Sequence, residues 1–414
     1  MFEYDRWQEI FDSLKRHKLR TAATALAVWW GIFMLVILLG AGNGLQNSFK
    51  RDFEIDAINS IWIFGGQTTQ NYKGFKAGRR INFRNEDYNA IKNKVEGIEG
   101  VAGRYFVSSS HLTEYNGKAL SFPIRGVHPD YQKVETSTML EGRYINSIDV
   151  EKFRKVAVLG TKVQEELFGK DQSVVGKYIT VNNSKYQIVG LYTDKGHEYE
   201  RRRIFLPIST VQRAFDREDR IHNITLTVGE ATLEESQKIG DNVFKELAAI
   251  HNISPSDRQA VYINNSIEEY ERFNKIFLAF KFFIWFVGIG SIIAGVVGVS
   301  NIMLIIVKDR TKEIGIRKAM GATPRSIIGM ILQEAIFLTS IAGYVGLLMG
   351  FGIVYGVNYL LEQSGEELDF FYNPQVDFAS VILALLFLVT CGTLAGLIPA
   401  LQAVRINPVE AMKS

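Results

Sequence analysis

The chain has 414 residues, 47% of them hydrophobic and 22% charged, with a formal net charge of +3. So small an excess of cations, with no basic patch interleaved with aromatics, argues against a nucleic-acid binder, and the single cysteine, Cys391, rules out an intrachain disulfide. Mean hydropathy is near zero only because very apolar runs offset one long polar block, residues 43–275. A block of that size can bury a core of its own.

Residues 1–20 place Trp7, Ile10, Phe11 and Leu14 on one helical face, with Arg6, Lys15, Arg16, Lys18 and Arg20 around them. That pattern predicts an amphipathic helix lying at a membrane interface. Residues 21–42 match the length of apolar helix that a bilayer requires. They are read as an uncleaved anchor, because the run exceeds a signal-peptide core and no good A-x-A cleavage site follows it.

The polar block mixes strand and helix signals. Ser60–Gly66 and Val156–Gly160 predict buried strands, and His222–Gly229 a half-buried one. A hairpin is expected within Tyr178–Tyr192, turning near Asn182-Asn183. Helices are expected over Asn85–Val95, Lys162–Phe168 and Ala231–Ile250. Gln67–Arg80, glycine-rich and weakly patterned, reads as a mobile loop, and Arg201-Arg202-Arg203 beside His197 and Glu198 as an exposed one. The whole is expected to be α+β, in two lobes joined near residues 110–145 and again near 220.

A second span is expected over residues 276–307, where Gly290, Ala294 and Gly298 repeat every four residues and permit close helix contact. The third, 327–361, carries Gln333 and Glu334 near its start and two further small-residue pairs, Gly346/Gly350 and Gly352/Gly356. Residues 362–375 form an acidic loop without Lys or Arg. The fourth span, 376–401, contains Gly392, Gly396 and Pro399, and residues 402–414 form a tail. In that tail Asn407-Pro408 and Glu410 are spaced as a helix cap, first-turn proline and N3 acid. The basic residues of the N-terminal flank and of residues 308–326 place both termini and that segment in the cytoplasm, and the polar block and acidic loop outside. The expected fold class is therefore a membrane α-helical protein of four transmembrane helices, with a large external α+β domain inserted between the first and second spans.

Between the second and third spans lies a charged island, Val307–Ser326. Glu313 and Arg317 stand four apart with the acid first, the favourable order for a helical ion pair. Ile316, Ala319 and Met320 form an apolar strip at helical spacing. Arg317 and Lys318 suit the negative end of a helix dipole, Gly321 the residue that stops the helix, and Thr323-Pro324 the cap and first position of the next. The expected product is a short helix, a glycine stop and a new helix entering the membrane. It would serve either as a solvated positive loop or as a docking helix for a cytoplasmic partner.

Motifs of catalysis are missing. No G-x-x-x-x-G-K-[ST], H-E-x-x-H or G-x-S-x-G occurs, and His17, His111, His128, His197, His222 and His251 are scattered without ligand spacing. No catalytic, cofactor-binding or metal-ligating residue is therefore assigned. Glu334 reads as a structural acid facing the cations of the island. Asn223-Ile224-Thr225 reads as a chance sequon.

Three stretches together resemble the MacB/FtsX permease superfamily of ABC transporters. EIGIRKAMGA at Glu313–Ala322, followed by Glu334-Ala335, is similar to the signature after that family's second span. IPALQAVRINPVEAM at Ile398–Met412 is similar to its closing pattern, and LKRHKLRTAATALAVWWGI at Leu14–Ile32 to its opening one, departing at Val28-Trp29-Trp30. Leu140–Asn146 with Val156–Gly169 also resembles the family's external domain. The resemblance implies a permease that dimerises, as homodimer or heterodimer, in the bacterial inner membrane and pairs with a separate ATPase. That ATPase would hold ATP and Mg, with none bound by this chain. A cytoplasmic coupling helix would pass ATPase closure to the external domain, where substrate is handled, with a periplasmic or extracellular adaptor as a further partner. Carried over residue by residue, Glu313, Ile314, Gly315, Arg317, Lys318, Gly321 and Ala322 would form the coupling site. A lipoprotein-releasing permease and an FtsX-like regulator of a cell-wall hydrolase are the alternatives within the family. A receptor or adhesion ectodomain on four anchors is the alternative outside it, and it leaves the island unexplained.

Overall fold

The computed structural model describes residues 18–55, 57–108, 111–135, 137–170, 172–194, 198–216, 219–364 and 371–407. The amphipathic face expected before residue 18, His197, residues 365–370 of the acidic loop, and Pro408 and Glu410 of the tail lie outside the described residues. The chain forms two compact units, one of Met1–Phe49 with Lys275–Ser414, the other of Lys50–Asn274.

Four helices, each lying wholly or mostly in the first unit, are long and apolar enough to cross a membrane: Lys18–Ile55, Ser266–Asp309, Pro324–Ser364 and Phe378–Val404. The first runs past Gly42, where sequence polarity begins, to Ile55. Val28, Ile32, Leu35, Ile292, Val299, Ile331 and Leu388 lie at the centre of their shared core. Glycines allow the helices this contact. A Cβ on Gly392 would stand 2.7 Å from the Thr339 hydroxyl, and one on Gly396 2.8 Å from the Ala335 methyl. A Cβ on Gly346 would stand 2.6 Å from the carbonyl oxygen of Trp29, and one on Gly350 2.8 Å from Val36. The Gly346/Gly350 row thus serves packing within the chain, against Trp29 and Val36.

The second unit is built on a 12-stranded sheet. Its path runs from the edge strand Val261–Asn265 through Ser60–Gly65, Asn223–Thr227 and Gly100–Phe106 to Ile124–Val127, then through Ile204–Pro207, Val156–Gly160 and Ser184–Thr193 to Tyr178–Val181 and the hairpin Leu112–Tyr115/Lys118–Ser121. The strands are rich in Ile, Val, Leu and aromatics, residues that suit a pleated surface buried on both faces. The hairpin at Tyr178–Thr193 turns on Asn182 and Asn183, both in the left-handed region at φ 46° and 58°, as a two-residue primed turn requires. Helix Leu233–His251 starts on a reciprocal capping box between Thr232 and Glu235 and stops at Asn252 (φ 49°). The two expected lobes are not separated in the packing: Lys50–Asn274 forms one compact unit, and Asn223–Thr227 lies in the same sheet as the strands between Leu112 and Gly142, while Arg220–Ile221 pairs Phe83–Arg84 in a second, two-stranded sheet.

Two local expectations are corrected. Residues 67–80 form a tethered hairpin, not a loose loop. Gln67 bridges Arg80, Thr68 N–H donates to Arg79 at 2.9 Å, and Lys73-Gly74 make a tight turn at φ 45° and 84°. Asp257 ties the hairpin down, accepting from Thr69 N–H and hydroxyl, each at 2.7 Å. Burial pushes this carboxyl up, but the donors of Thr69 and Gln70 outweigh it and hold it below the usual carboxylate range. The tether arrives from a residue distant in sequence, so local composition does not show it.

The arginine run is likewise not an exposed loop. Arg203 is only 4% exposed, and with Arg125 it grips one carboxylate, Glu135, at 2.9 and 2.8 Å. Tyr131 donates its hydroxyl proton to the same oxygen at 2.5 Å and accepts from Arg104 at 2.6 Å. Arg202 makes two bonds to Glu166, at 2.8 and 3.0 Å. Asn223 of the sequon is fully buried, accepting from Arg104 at 3.0 Å.

Candidate coupling site

The island folds as helix Thr311–Ala319, a stop, and the start of helix Pro324–Ser364. Gly321 sits at φ +97°, which only glycine adopts without strain. Its N–H donates to Lys318 at 3.0 Å, and that of Ala322 to Arg317 at 2.9 Å. Those two bonds are the complete Schellman motif, so the helix ends in one defined way. Thr323 then caps the next helix, its hydroxyl accepting from Ser326 N–H at 3.4 Å, with Pro324 as first residue.

One face of the short helix holds it to the membrane unit. Ile314 is 2% exposed within the core of the spans, and Gly315 is buried beside it. Lys318 Nζ donates to the carbonyls of Val404 and Ile406, each at 2.7 Å. It thereby caps the open C-terminal carbonyls of the last span, a favourable place for a cation. Arg317 Nη2 pairs with Glu313 at 2.9 Å and its Nη1 reaches the Met330 sulfur at 2.8 Å. Arg310, just before the helix, pairs with the buried Glu334 at 3.4 Å.

The opposite face is open. Met320 is 76% exposed and Ile316 43%, with Ala319, Lys312 and Glu313 exposed beside them. The residues singled out in sequence therefore divide by role. Ile314, Gly315, Lys318 and Ala322 anchor the helix, Arg317 spans both sides, Gly321 ends it, and Glu313 lies on the open face. Ile316 and Met320 carry most of that face's apolar surface, and the helical spacing had already marked them as a strip. The Lys318–Val404 and Arg310–Glu334 contacts join residues far apart in sequence. The second agrees with the sequence reading of Glu334 as an acid facing the cations of the island, whereas no sequence signal pointed to the first.

Residues 21–238 match the MacB-like periplasmic core domain and residues 285–408 the FtsX-like permease C-terminal domain. The chain is 26% identical over 407 residues to the macrolide export ATP-binding/permease protein MacB of Bdellovibrio bacteriovorus, covering 97% of this chain and 60% of that protein. It is 24% identical over 403 residues to the uncharacterized ABC transporter permease YknZ of Bacillus subtilis, covering 97% of this chain and 96% of that one. Among solved structures, the periplasmic region of MacB from Actinobacillus actinomycetemcomitans aligns at a TM-score of 0.44 with 20% identity, over 54% of this chain and 96% of that one. The chain spans about 60% of the length of the MacB relatives.

Proposed function

Because the chain belongs to the MacB/FtsX superfamily of ABC transporter permeases, we propose that it is the membrane subunit through which a separate ATP-binding subunit moves an external domain. In this reading both termini and the Thr311–Ala319 helix face the cytoplasm of a bacterial inner membrane, and the α+β domain lies outside. ATP and Mg bind the ATPase. Its closure pushes the short helix, and the spans pass the displacement to the external domain, which handles substrate on the outer side of the membrane.

The observation that supports this best is the two-sided build of the short helix. An element that transmits force must be fixed to the spans and yet offer a surface to grip. Ile314 and Lys318 provide the first, and Ile316, Ala319 and Met320 the second. A merely solvated loop has no need of an exposed apolar strip on a helix locked by a Schellman stop. The test is co-purification of the cognate ATPase with Ile316→Asp and Met320→Asp, which touch nothing in the core. Both should reach the membrane at wild-type levels and lose the ATPase. Retention of the ATPase by both would contradict the reading.

The reading also includes a dimer. Gly290 has open space where a Cβ would stand, Ala294 is exposed, and Asn301 on the same face is exposed with no hydrogen bond among the described residues. A lone amide on an apolar helix gains by pairing with another helix, by about 0.6–2 kcal/mol in such settings. Gly290→Leu with Asn301→Leu should shift native mass spectra toward monomer. An unchanged dimer would place the interface elsewhere. An adaptor remains part of the proposal through the family alone.

A further inference from the structure

Behind the coupling helix is a polar cleft of about 190 Å³. Arg310, Arg317, Arg325, Ser326, Gln333 and Glu334 supply its polar lining. Three guanidiniums thus meet a single lining carboxylate. Two of the cations are already balanced, Arg310 by Glu334 and Arg317 by Glu313. Arg325 makes no ion pair among the described residues and is exposed at the mouth. It also sits in the first turn of the helix Pro324–Ser364, where the backbone adds positive potential. The cleft therefore carries one uncompensated cation, further polar side chains in Ser326 and Gln333, and the positive end of a long helix. That combination favours an oxyanion.

The cleft lies where two membrane-spanning helices end, Ser266–Asp309 and Pro324–Ser364. Phosphate oxyanions are most concentrated there as lipid headgroups, and basic pockets between spans are places where anionic headgroups bind. The geometry points to a phosphate-binding cleft, occupied in the membrane by the headgroup of an anionic phospholipid. A bound headgroup would touch Arg317 and Arg325 together. It would so join the coupling helix to the start of the third span, making the position of that helix sensitive to the charge of the surrounding lipid.

The test uses the full chain in neutral detergent with equimolar phosphatidylglycerol and phosphatidylcholine, read by native mass spectrometry. Wild type should retain phosphatidylglycerol in preference. Arg325→Gln should reduce that preference about five-fold, the loss expected on removing one interfacial cation, while Arg325→Lys should keep most of it. A second arm adds inorganic phosphate alone. If it raises the thermal midpoint of wild type but not of Arg325→Gln, and phosphatidylglycerol does not, the phosphate site stands and its source is soluble. Equal retention of both lipids by wild type, with no response to inorganic phosphate, would overturn the proposal. So would an unchanged lipid preference in Arg325→Gln accompanied by loss of the ATPase, which would give the cleft to an acidic segment of that subunit.

Discussion

The Glu313–Arg317 pair and the Arg125–Glu135–Arg203 cluster use the same chemical groups at nearly the same separations, 2.9 Å against 2.8 and 2.9 Å. Their surroundings differ. Glu313 keeps 48% of its side chain exposed and Arg317 30%, whereas Glu135 keeps 5%, Arg125 9% and Arg203 5%. In the first, water screens both charges and the bond adds little to stability. In the second, each ion has lost its water and depends on its partners, so removing one strands the others. Glu313 and Arg317 on the Thr311–Ala319 helix keep part of their side chains in water. Buried charges in the α+β domain are committed to holding its sheet and its helices in place.

The largest expected effect is therefore in the domain. Glu135→Ala leaves Arg125 and Arg203 without their shared carboxylate and Tyr131 without its acceptor. It should cost roughly 3–5 kcal/mol, visible as a large fall in the denaturant or thermal midpoint of the full chain. A change below about 1 kcal/mol would place the cluster with ordinary surface pairs.

Acid should separate the two regions next. Burial pushes His128 down to about 4, against an ordinary 6.5. Its ring stacks on Tyr88 at 3.8 Å, and its Nδ1 lies 2.9 Å from the Gly103 N–H and 3.3 Å from the Gly103 carbonyl. The shorter contact makes Nδ1 an acceptor, a role that protonation ends. Between pH 6.5 and about 4 the unfolded chain binds a proton that the folded domain refuses. Stability then falls as pH falls through that window, by about 3 kcal/mol in all. Thermal midpoints of wild type and His128→Phe from pH 7 to 4 check this. The variant should start lower and lose less, and parallel curves would remove His128 as the cause.

The smallest effect is expected at the Thr311–Ala319 helix. Glu313→Ala should change stability by no more than about 0.3–0.5 kcal/mol, the worth of an exposed i,i+4 pair. A loss of several kcal/mol would mean that the pair is structural.

What could be read from sequence follows the same division. The island was legible because its signals are local. The Glu313–Arg317 spacing, the glycine at the stop and the Thr-Pro restart all lie within one short stretch, and each appears in the structure at its expected place. The four spans were legible from apolar length, and the Asn182-Asn183 hairpin from turn chemistry. The buried cluster was not, because Arg104, Arg125, Glu135 and Arg203 come from separate elements and meet only through the sheet. An arginine triplet in isolation reads as solvated. Arg203 is buried because the strand that begins at Ile204 carries it between Glu135 and Glu200. The Gly346/Gly350 row shows the same limit, since small residues announce a close approach without saying whose helix approaches.

The central claim is that the open face of the Thr311–Ala319 helix meets the ATPase. The most direct measurement compares coupled ATP turnover in nanodiscs for wild type, Arg317→Glu and the exchanged pair Glu313→Arg with Arg317→Glu. Exchange restores the ion pair within the helix but leaves each charge reversed toward a partner. If the helix docks, the single variant and the exchanged pair should both lose coupled turnover, because like charges at an interface cost several kcal/mol. Recovery of full turnover by the exchanged pair would show that only the intrahelical bond matters, and would contradict the account.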